Sequence, residues 1–139
     1  MDNREIEERI AHAFELHELN YNCAQCVALS CGDLVDIDRV AAFKLLEGFG
    51  GGMANGSQTC GALSGAIAVI SYASSHGPDD PTTKKSTYAQ VAPLVDEFRN
   101  LVGSTICKEI KGGNGAPMLR SCNDCIADGI RLAIAALGR

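Results

Sequence analysis

The stretch GFGGGMANGSQTCGALSGAIAVISYA, residues 48–73, joins a glycine-rich segment to the most apolar run of the chain. Glycine at this density predicts a loop in which the backbone turns sharply or approaches a neighbouring group closely. The apolar run from Cys60 to Ala73 is too short, and too often interrupted by glycine and serine, to span a membrane. It predicts a buried helix instead, with a cysteine at the point where the loop meets that helix.

Helical periodicity also dominates the rest of the chain. Apolar side chains recur at three- and four-residue spacing, and no stretch alternates with a period of two. The other predicted helices cover residues 2–19, 23–30, 38–49, 81–102 and 122–137, with a short turn around Cys107 and a kink or break at Pro93. The sequence therefore predicts one all-α domain, residues 1–139. We expect a bundle of about four longer helices with short ones between them, and a glycine-rich loop before a central apolar helix.

Composition excludes several classes of partner. The formal net charge is −5 at pH 7, the 12 basic residues are scattered, and aromatic residues make up 5% of the chain. Nucleic acid and anionic membrane surfaces both require a basic patch, so neither is expected as a partner. The N-terminal stretch has no apolar segment of the secretory type, which predicts a cytoplasmic protein.

Seven cysteines are many for a chain of 139 residues, and an odd number fits a disulfide framework poorly. In a reducing compartment, abundant cysteine indicates metal or redox chemistry. Buried free cysteine also fills cores, and this alternative stays open for some of them. The cysteines are Cys23, Cys26, Cys31, Cys60, Cys107, Cys122 and Cys125.

Residues that favour helix N-caps precede three of these cysteines: Asn22 before Cys23, Thr59 before Cys60, and Ser121 before Cys122. These three cysteines are predicted in first helical turns, and Cys107 in the first turn of a short helix. Unpaired N–H groups and the helix dipole favour a thiolate there. Four such cysteines indicate that helix ends converge on one anionic sulfur site, although caps precede helices everywhere and coincidence stays an alternative.

The glycines predict close approach to such a site. Gly50, Gly51, Gly52 and Gly56 would let the backbone wrap around whatever Cys60 holds. The alternative is that the glycines serve only a tight turn and close helix packing. The segment lacks the ending of a P-loop and follows no predicted strand, so nucleotide binding is not indicated.

Two C-x-x-C pairs, Cys23–Cys26 and Cys122–Cys125, could each chelate a metal or form a disulfide. Neither is followed by histidine, so covalent haem attachment is not expected. A core position is favoured for Cys31, Cys26 and Cys125. The three histidines show no ligand spacing.

The segments YNCAQCV, GFGGGMANGSQTCGALSG and TICKEI, with the final C-x-x-x-I helix, resemble the family of redox-active proteins named for its C_GCAxxG_C_C pattern. The CGAxxG element corresponds to residues 60–65, and the resemblance covers nearly the whole chain. The four characteristic cysteines fall on Cys23, Cys60, Cys107 and Cys122. Cys122 is chosen over Cys125 because Ile126 then matches the apolar position of the pattern.

The resemblance implies redox activity, with an iron–sulfur cluster as the first expected cofactor and the four characteristic cysteines as its ligands. Gly50, Gly51, Gly52 and Gly61 are expected to lie against that cofactor. A second hypothesis is a clusterless dithiol–disulfide oxidoreductase that uses Cys60 as nucleophile, together with Cys23.

A third hypothesis is a structural module with zinc on the same four sulfurs. The sequence leaves open whether the protein is an enzyme or an electron carrier. A redox partner protein is expected but not named by any motif, and a homodimer is compatible with the sequence.

Overall fold

Seven helices and no β-strand make up the computed structural model, which describes all residues 1–139. The helices are α1 (Asn3–Glu18), α2 (Cys23–Cys31), α3 (Arg39–Leu46), α4 (Gly61–Ser74), α5 (Lys84–Val102), α6 (Cys107–Lys111) and α7 (Cys122–Ala136). Helices α1, α4, α5 and α7 are the longer ones, and the predicted all-α bundle is confirmed.

Side-chain caps fix where the helices that start with Cys23 and Cys122 begin. Asn22 and Gln25 form a reciprocal capping box before α2, in which each side chain accepts the other's backbone N–H at 2.9 Å. The hydroxyl of Ser121 accepts the N–H of Asp124 at 3.0 Å before α7. As the sequence predicts, the first residue of each of these helices is a cysteine.

Two predicted helix boundaries differ from the structure. The helix predicted to end at Phe49 ends as α3 at Leu46 and continues only as a 3₁₀ turn over Glu47–Phe49. Helix α5 begins at Lys84, later than predicted, and runs on through Pro93 without a break. Pro93 is exposed, so the carbonyl that loses its helical hydrogen bond can be solvated by water.

The core lies where α2 and α4 pack against each other and against α7. Every residue of α2 after Cys23 is buried, α1 packs on α2 and α7, and α5 packs on α4 and α7. The largest fully buried side chains include Leu63, Ile70, Phe98, Ile126, Ile130 and Ile134. No helix combines the length and apolar character needed to cross a membrane.

Glycines allow the central helices to approach closely. A Cβ atom added at Gly65 of α4 would lie 2.5 Å from the carbonyl oxygen of Ala24 in α2. A Cβ atom added at Gly129 of α7 would lie 2.8 Å from the carbonyl oxygen of Ala62 in α4. Because backbone atoms cannot yield as flexible side chains do, these positions fix the spacing of the three helices.

Gly65→Ala is expected to lower the free energy of unfolding by about 2 kcal/mol, since overpacking forces the helices apart. Gly48→Ala is the control, because an added Cβ meets no atom within 4 Å there. Urea denaturation monitored by circular dichroism measures both. Equal stability of the two variants would show that α2 and α4 separate at little cost.

The glycine segment is more ordered than the predicted loop. Gly51 (φ 60°, ψ 34°) and Gly52 (φ 67°, ψ 51°) begin a left-handed turn that Met53 (φ 59°) and Ala54 (φ 74°) continue. The N–H of Ala54 donates to the carbonyl of Gly50 at 3.0 Å and closes the turn. A left-handed conformation costs a non-glycine residue about 1–2 kcal/mol, so surrounding contacts must hold this segment, which we call the glycine turn (residues 50–54).

Candidate functional site

A cavity of about 200 Å³ lies at the N-terminal ends of α2, α4, α6 and α7. Five of the seven cysteines line it, and we call it the thiol cavity. They are Cys23, Cys60, Cys107, Cys122 and Cys125. The structure therefore brings the four predicted site cysteines to one place and adds a fifth.

Backbone pairing holds two of these cysteines side by side. The N–H of Cys60 donates to the carbonyl of Thr105 at 2.7 Å, and the N–H of Cys107 donates to the carbonyl of Gln58 at 2.9 Å. The two chain segments run antiparallel over this short pairing. The starts of α4 and α6 are thereby fixed relative to each other, although they are distant in sequence.

The prediction that Thr59 caps α4 is wrong by one residue. Cys60 itself occupies the N-cap position, and α4 begins at Gly61. Thr59 is held outside the helix because it lies opposite Ile106 in the antiparallel pairing. An N-cap cysteine still faces the free N–H groups of the first turn, so the expected effect of the helix end on its sulfur persists.

Cys60 and Cys125 are a pair of neighbouring thiols in the cavity. The neighbouring thiol of Cys125, and then the backbone N–H groups of Ala62 and Leu63 at the start of α4, favour the thiolate of Cys60. These donors lower the pKa of Cys60 to about 7 despite its burial. The same pairing, followed by burial, raises the pKa of Cys125.

Cys23 and Cys122 form a second pair across the ends of α2 and α7. The neighbouring thiol of Cys23 lowers the pKa of Cys122 to about 6, with smaller contributions from the charges of Lys111 and His17. The pKa of Cys23 is raised, first by its interaction with Cys122 and then by burial. Each pair thus combines one thiolate-prone sulfur with one thiol that stays protonated.

Cys107 stands apart from the two pairs but lines the same cavity. Burial raises the pKa of its thiol, and the charge of Lys111 partly opposes that increase. Gly52 packs directly on it, because a Cβ atom added at Gly52 would lie 2.5 Å from the Cβ atom of Cys107. The glycine turn therefore forms the support against which Cys107 is placed.

The four glycines predicted to lie against a cofactor take two different positions. Gly51 and Gly61 line the thiol cavity. Gly50 and Gly52 lie behind it, where Gly50 packs against the side chain of Asn22, the N-cap of α2. Two of the four thus face the cavity, and the other two position the elements that carry cysteines.

The remaining two cysteines lie in the core. Cys26 is fully buried, and its thiol donates to the carbonyl of Tyr21 at 3.7 Å. Cys31 is also fully buried, and burial raises the pKa of both thiols to about 12. The core position favoured from the sequence for Cys26, Cys31 and Cys125 therefore describes the first two, whereas Cys125 is buried but faces the thiol cavity.

Three basic side chains and no carboxylate line the cavity. Arg120 is paired with the buried carboxylate of Asp128 at 2.6 and 3.0 Å. The ring of His17 hydrogen-bonds to the side chain of Asn123 at 2.8 Å. Lys111 is the third, and sequence reasoning gave none of the three a role.

A sequence model of the family described as "Putative redox-active protein (C_GCAxxG_C_C)" matches residues 21–135. The matched range contains every cysteine that lines the thiol cavity, together with the glycine turn. Comparisons with curated proteins and with solved structures found no match. Since the family match extends over most of the 139 residues, the resemblance seen in the sequence is confirmed, and the chain belongs to the C_GCAxxG_C_C family of redox-active proteins.

Proposed function

We propose that this protein transfers electrons through an iron–sulfur cluster bound in the thiol cavity. The observation that supports this most directly is that cysteines from four separate helix starts line one cavity. Iron–sulfur clusters are commonly held by four cysteine thiolates. The proposed ligands are Cys23, Cys60, Cys107 and Cys122, and the bound cluster would supply one-electron chemistry.

The donor set and its surroundings fit an anionic cluster. The lining offers more than four thiols and carries no carboxylate that would repel negative charge. No three His, Cys, Asp or Glu side chains are placed to hold a single metal ion. Thiols spread around a cavity suit a cluster of several atoms better than one metal ion. This arrangement therefore does not favour the single zinc ion considered from the sequence.

The chain's own residues would hold and tune that group. Cys60 and Cys107 are buried, which limits water at the sulfurs. The N–H groups of Ala62 and Leu63 and the thiol of Cys125 lie near the sulfur of Cys60 and favour its thiolate. Hydrogen bonds to ligand sulfur are among the features that set reduction potentials, so Cys125 would act on a ligand rather than replace one.

Anaerobic purification followed by iron and sulfide analysis tests the proposal. We expect a coloured protein with iron and sulfide in equal amounts, and loss of both in Cys60→Ser and Cys122→Ser. Cys31→Ser is the control, because Cys31 is fully buried and does not line the cavity. A parent protein that stays free of iron after reconstitution with iron and sulfide would contradict the proposal.

The two thiol pairs favour a second candidate, a dithiol–disulfide oxidoreductase. In this function the thiolate of Cys60 attacks a substrate disulfide, forms a mixed disulfide and releases one substrate thiol. Cys125 then attacks the mixed disulfide through its own sulfur, forms the Cys60–Cys125 disulfide and releases the second substrate thiol. Two electrons pass from the protein to the substrate. The structure thus suggests Cys125, rather than Cys23, as the partner of Cys60.

Alkylation of the metal-free protein at pH 7 is expected to modify Cys122 and Cys60 well before Cys26 and Cys31. The first two have pKa values of about 6 and 7, whereas the other two have pKa values of about 12. The alkylation rates of Cys122 and Cys60 should rise as the pH passes through their pKa values, about 6 and about 7. Limiting iodoacetamide with peptide mass spectrometry measures the order, and uniform labelling in denaturant is the control. Early labelling of Cys31 in the folded protein would contradict this expected order.

A further inference from the structure

The lining of the thiol cavity differs in charge from the rest of the protein. The chain carries 17 acidic residues and a net charge of −5, yet the cavity is lined by basic side chains and no acidic one. Two of those basic groups are engaged, Arg120 by Asp128 and His17 by Asn123. Lys111 forms no ion pair within 4.0 Å and is therefore the uncompensated cation of the cavity.

The fold holds Lys111 at this position. Lys111 is the last residue of α6, the helix that begins at Cys107. Helix α6 stops there because Gly112 has a φ of 73°, and its N–H donates to the carbonyl of Lys108 at 3.0 Å. The N–H of Leu119 donates to the carbonyl of Ile110 at 2.8 Å, which ties the same helix end to the segment before α7.

The charge of Lys111 reaches two thiols that come from different helices. Cys107 begins the short helix that Lys111 ends, and Cys122 begins α7. Both residues belong to the proposed ligand set and line the cavity that Lys111 also lines. A cation that lines the same cavity as two sulfurs stabilises whichever state of the site carries more negative charge.

We propose that Lys111 is a positioning residue whose charge sets the reduction potential of the thiol cavity and draws anionic reactants to it. Adding an electron to the site adds negative charge, so the lysine favours the reduced state. The effect on the potential rests on the proposed function. The attraction of anionic reactants to the thiols does not, because it needs only the empty cavity.

Lys111→Gln and Lys108→Gln form a matched pair for the test. Both remove one positive charge from exposed positions of the same short helix, but Lys108 does not line the cavity. In metal-free protein, the ratio of the alkylation rates with iodoacetate and iodoacetamide at Cys122 reports the local charge, because the neutral reagent corrects for changes in thiolate fraction. We expect Lys111→Gln to lower this ratio about threefold, Lys108→Gln to leave it unchanged and Lys111→Arg to preserve it.

In protein loaded with iron and sulfide, Lys111→Gln is expected to shift the midpoint potential to a more negative value than Lys108→Gln does. Equal ratios and equal potentials in the two variants would overturn the proposed role of Lys111. A parent protein without a cluster would instead overturn the proposed function. In that case the alkylation ratio alone still decides whether Lys111 controls the charge of the cavity.

Discussion

Gly52→Ala is expected to abolish cluster binding, with iron content falling to background in a protein that still folds. The added Cβ atom would lie 2.5 Å from the Cβ atom of Cys107 and 3.1 Å from the carbonyl oxygen of Gln58. Cys107 cannot easily move away, because its backbone N–H donates to the carbonyl of Gln58 at 2.9 Å. The methyl group must therefore displace a proposed ligand, and the left-handed φ of 67° adds strain.

Gly56→Ala separates these two effects. Gly56 also has a left-handed φ, 77°, but an added Cβ atom meets nothing within 4 Å there. The control should therefore lose about 1 kcal/mol of stability from backbone strain alone, less than Gly52→Ala loses, and keep its iron. Iron per chain and the melting temperature of both variants check this. If the two variants retain iron equally, the contact between Gly52 and Cys107 has no part in the site.

Local rules were sufficient to predict most of the helices and the positions of Cys23, Cys107 and Cys122 in first helical turns. The capping box of Asn22 and Gln25 and the cap at Ser121 involve residues three apart, so their sequence signals are self-contained. The same rule failed at Thr59 because the backbone there pairs with a distant segment around Ile106. Pairing between distant segments of this kind produces no recurring residue pattern from which it could be predicted.

The two C-x-x-C pairs show a second limit. Cys26 follows Cys23, and Cys125 follows Cys122, at the same spacing, yet only Cys125 faces the thiol cavity. The difference arises because Cys26 points to the carbonyl of Tyr21, whereas Cys125 lies beside the start of α4. Spacing places both sulfurs near one face of a helix, but only the packing of the whole bundle determines what that face meets.

The glycine segment was predicted to approach the site, but its conformation was not. Left-handed values at Gly51 and Gly52 are compatible with glycine, whereas Met53 and Ala54 would not be expected to continue the turn. Backbone bonds from this segment to the residues beside Cys107 hold it, such as that from the N–H of Lys108 to the carbonyl of Gly56 at 2.8 Å. The strained turn and the cysteine helix therefore support each other.

Arg120→Met is expected to lower the free energy of unfolding of the metal-free protein by about 3 kcal/mol. The side chain of Asp128 is only 6% exposed, and both of its oxygens accept hydrogen bonds from Arg120. Methionine keeps much of the apolar stem but leaves a buried carboxylate without its partner. Because the arginine is itself 36% exposed, we expect the lower end of the range for buried pairs.

Arg131→Met provides the comparison, since Arg131 also pairs with a carboxylate, that of Glu7, at 2.6 Å. Those two side chains are 48% and 61% exposed, so water can replace the lost interaction and the cost should be about 0.5 kcal/mol. Urea denaturation measures both variants. Adding Asp128→Asn to Arg120→Met should recover part of the loss, because a neutral amide is easier to bury than an unpaired charge. If the double variant recovers nothing, the role of Arg120 lies in packing beside the thiol cavity and not in neutralising Asp128.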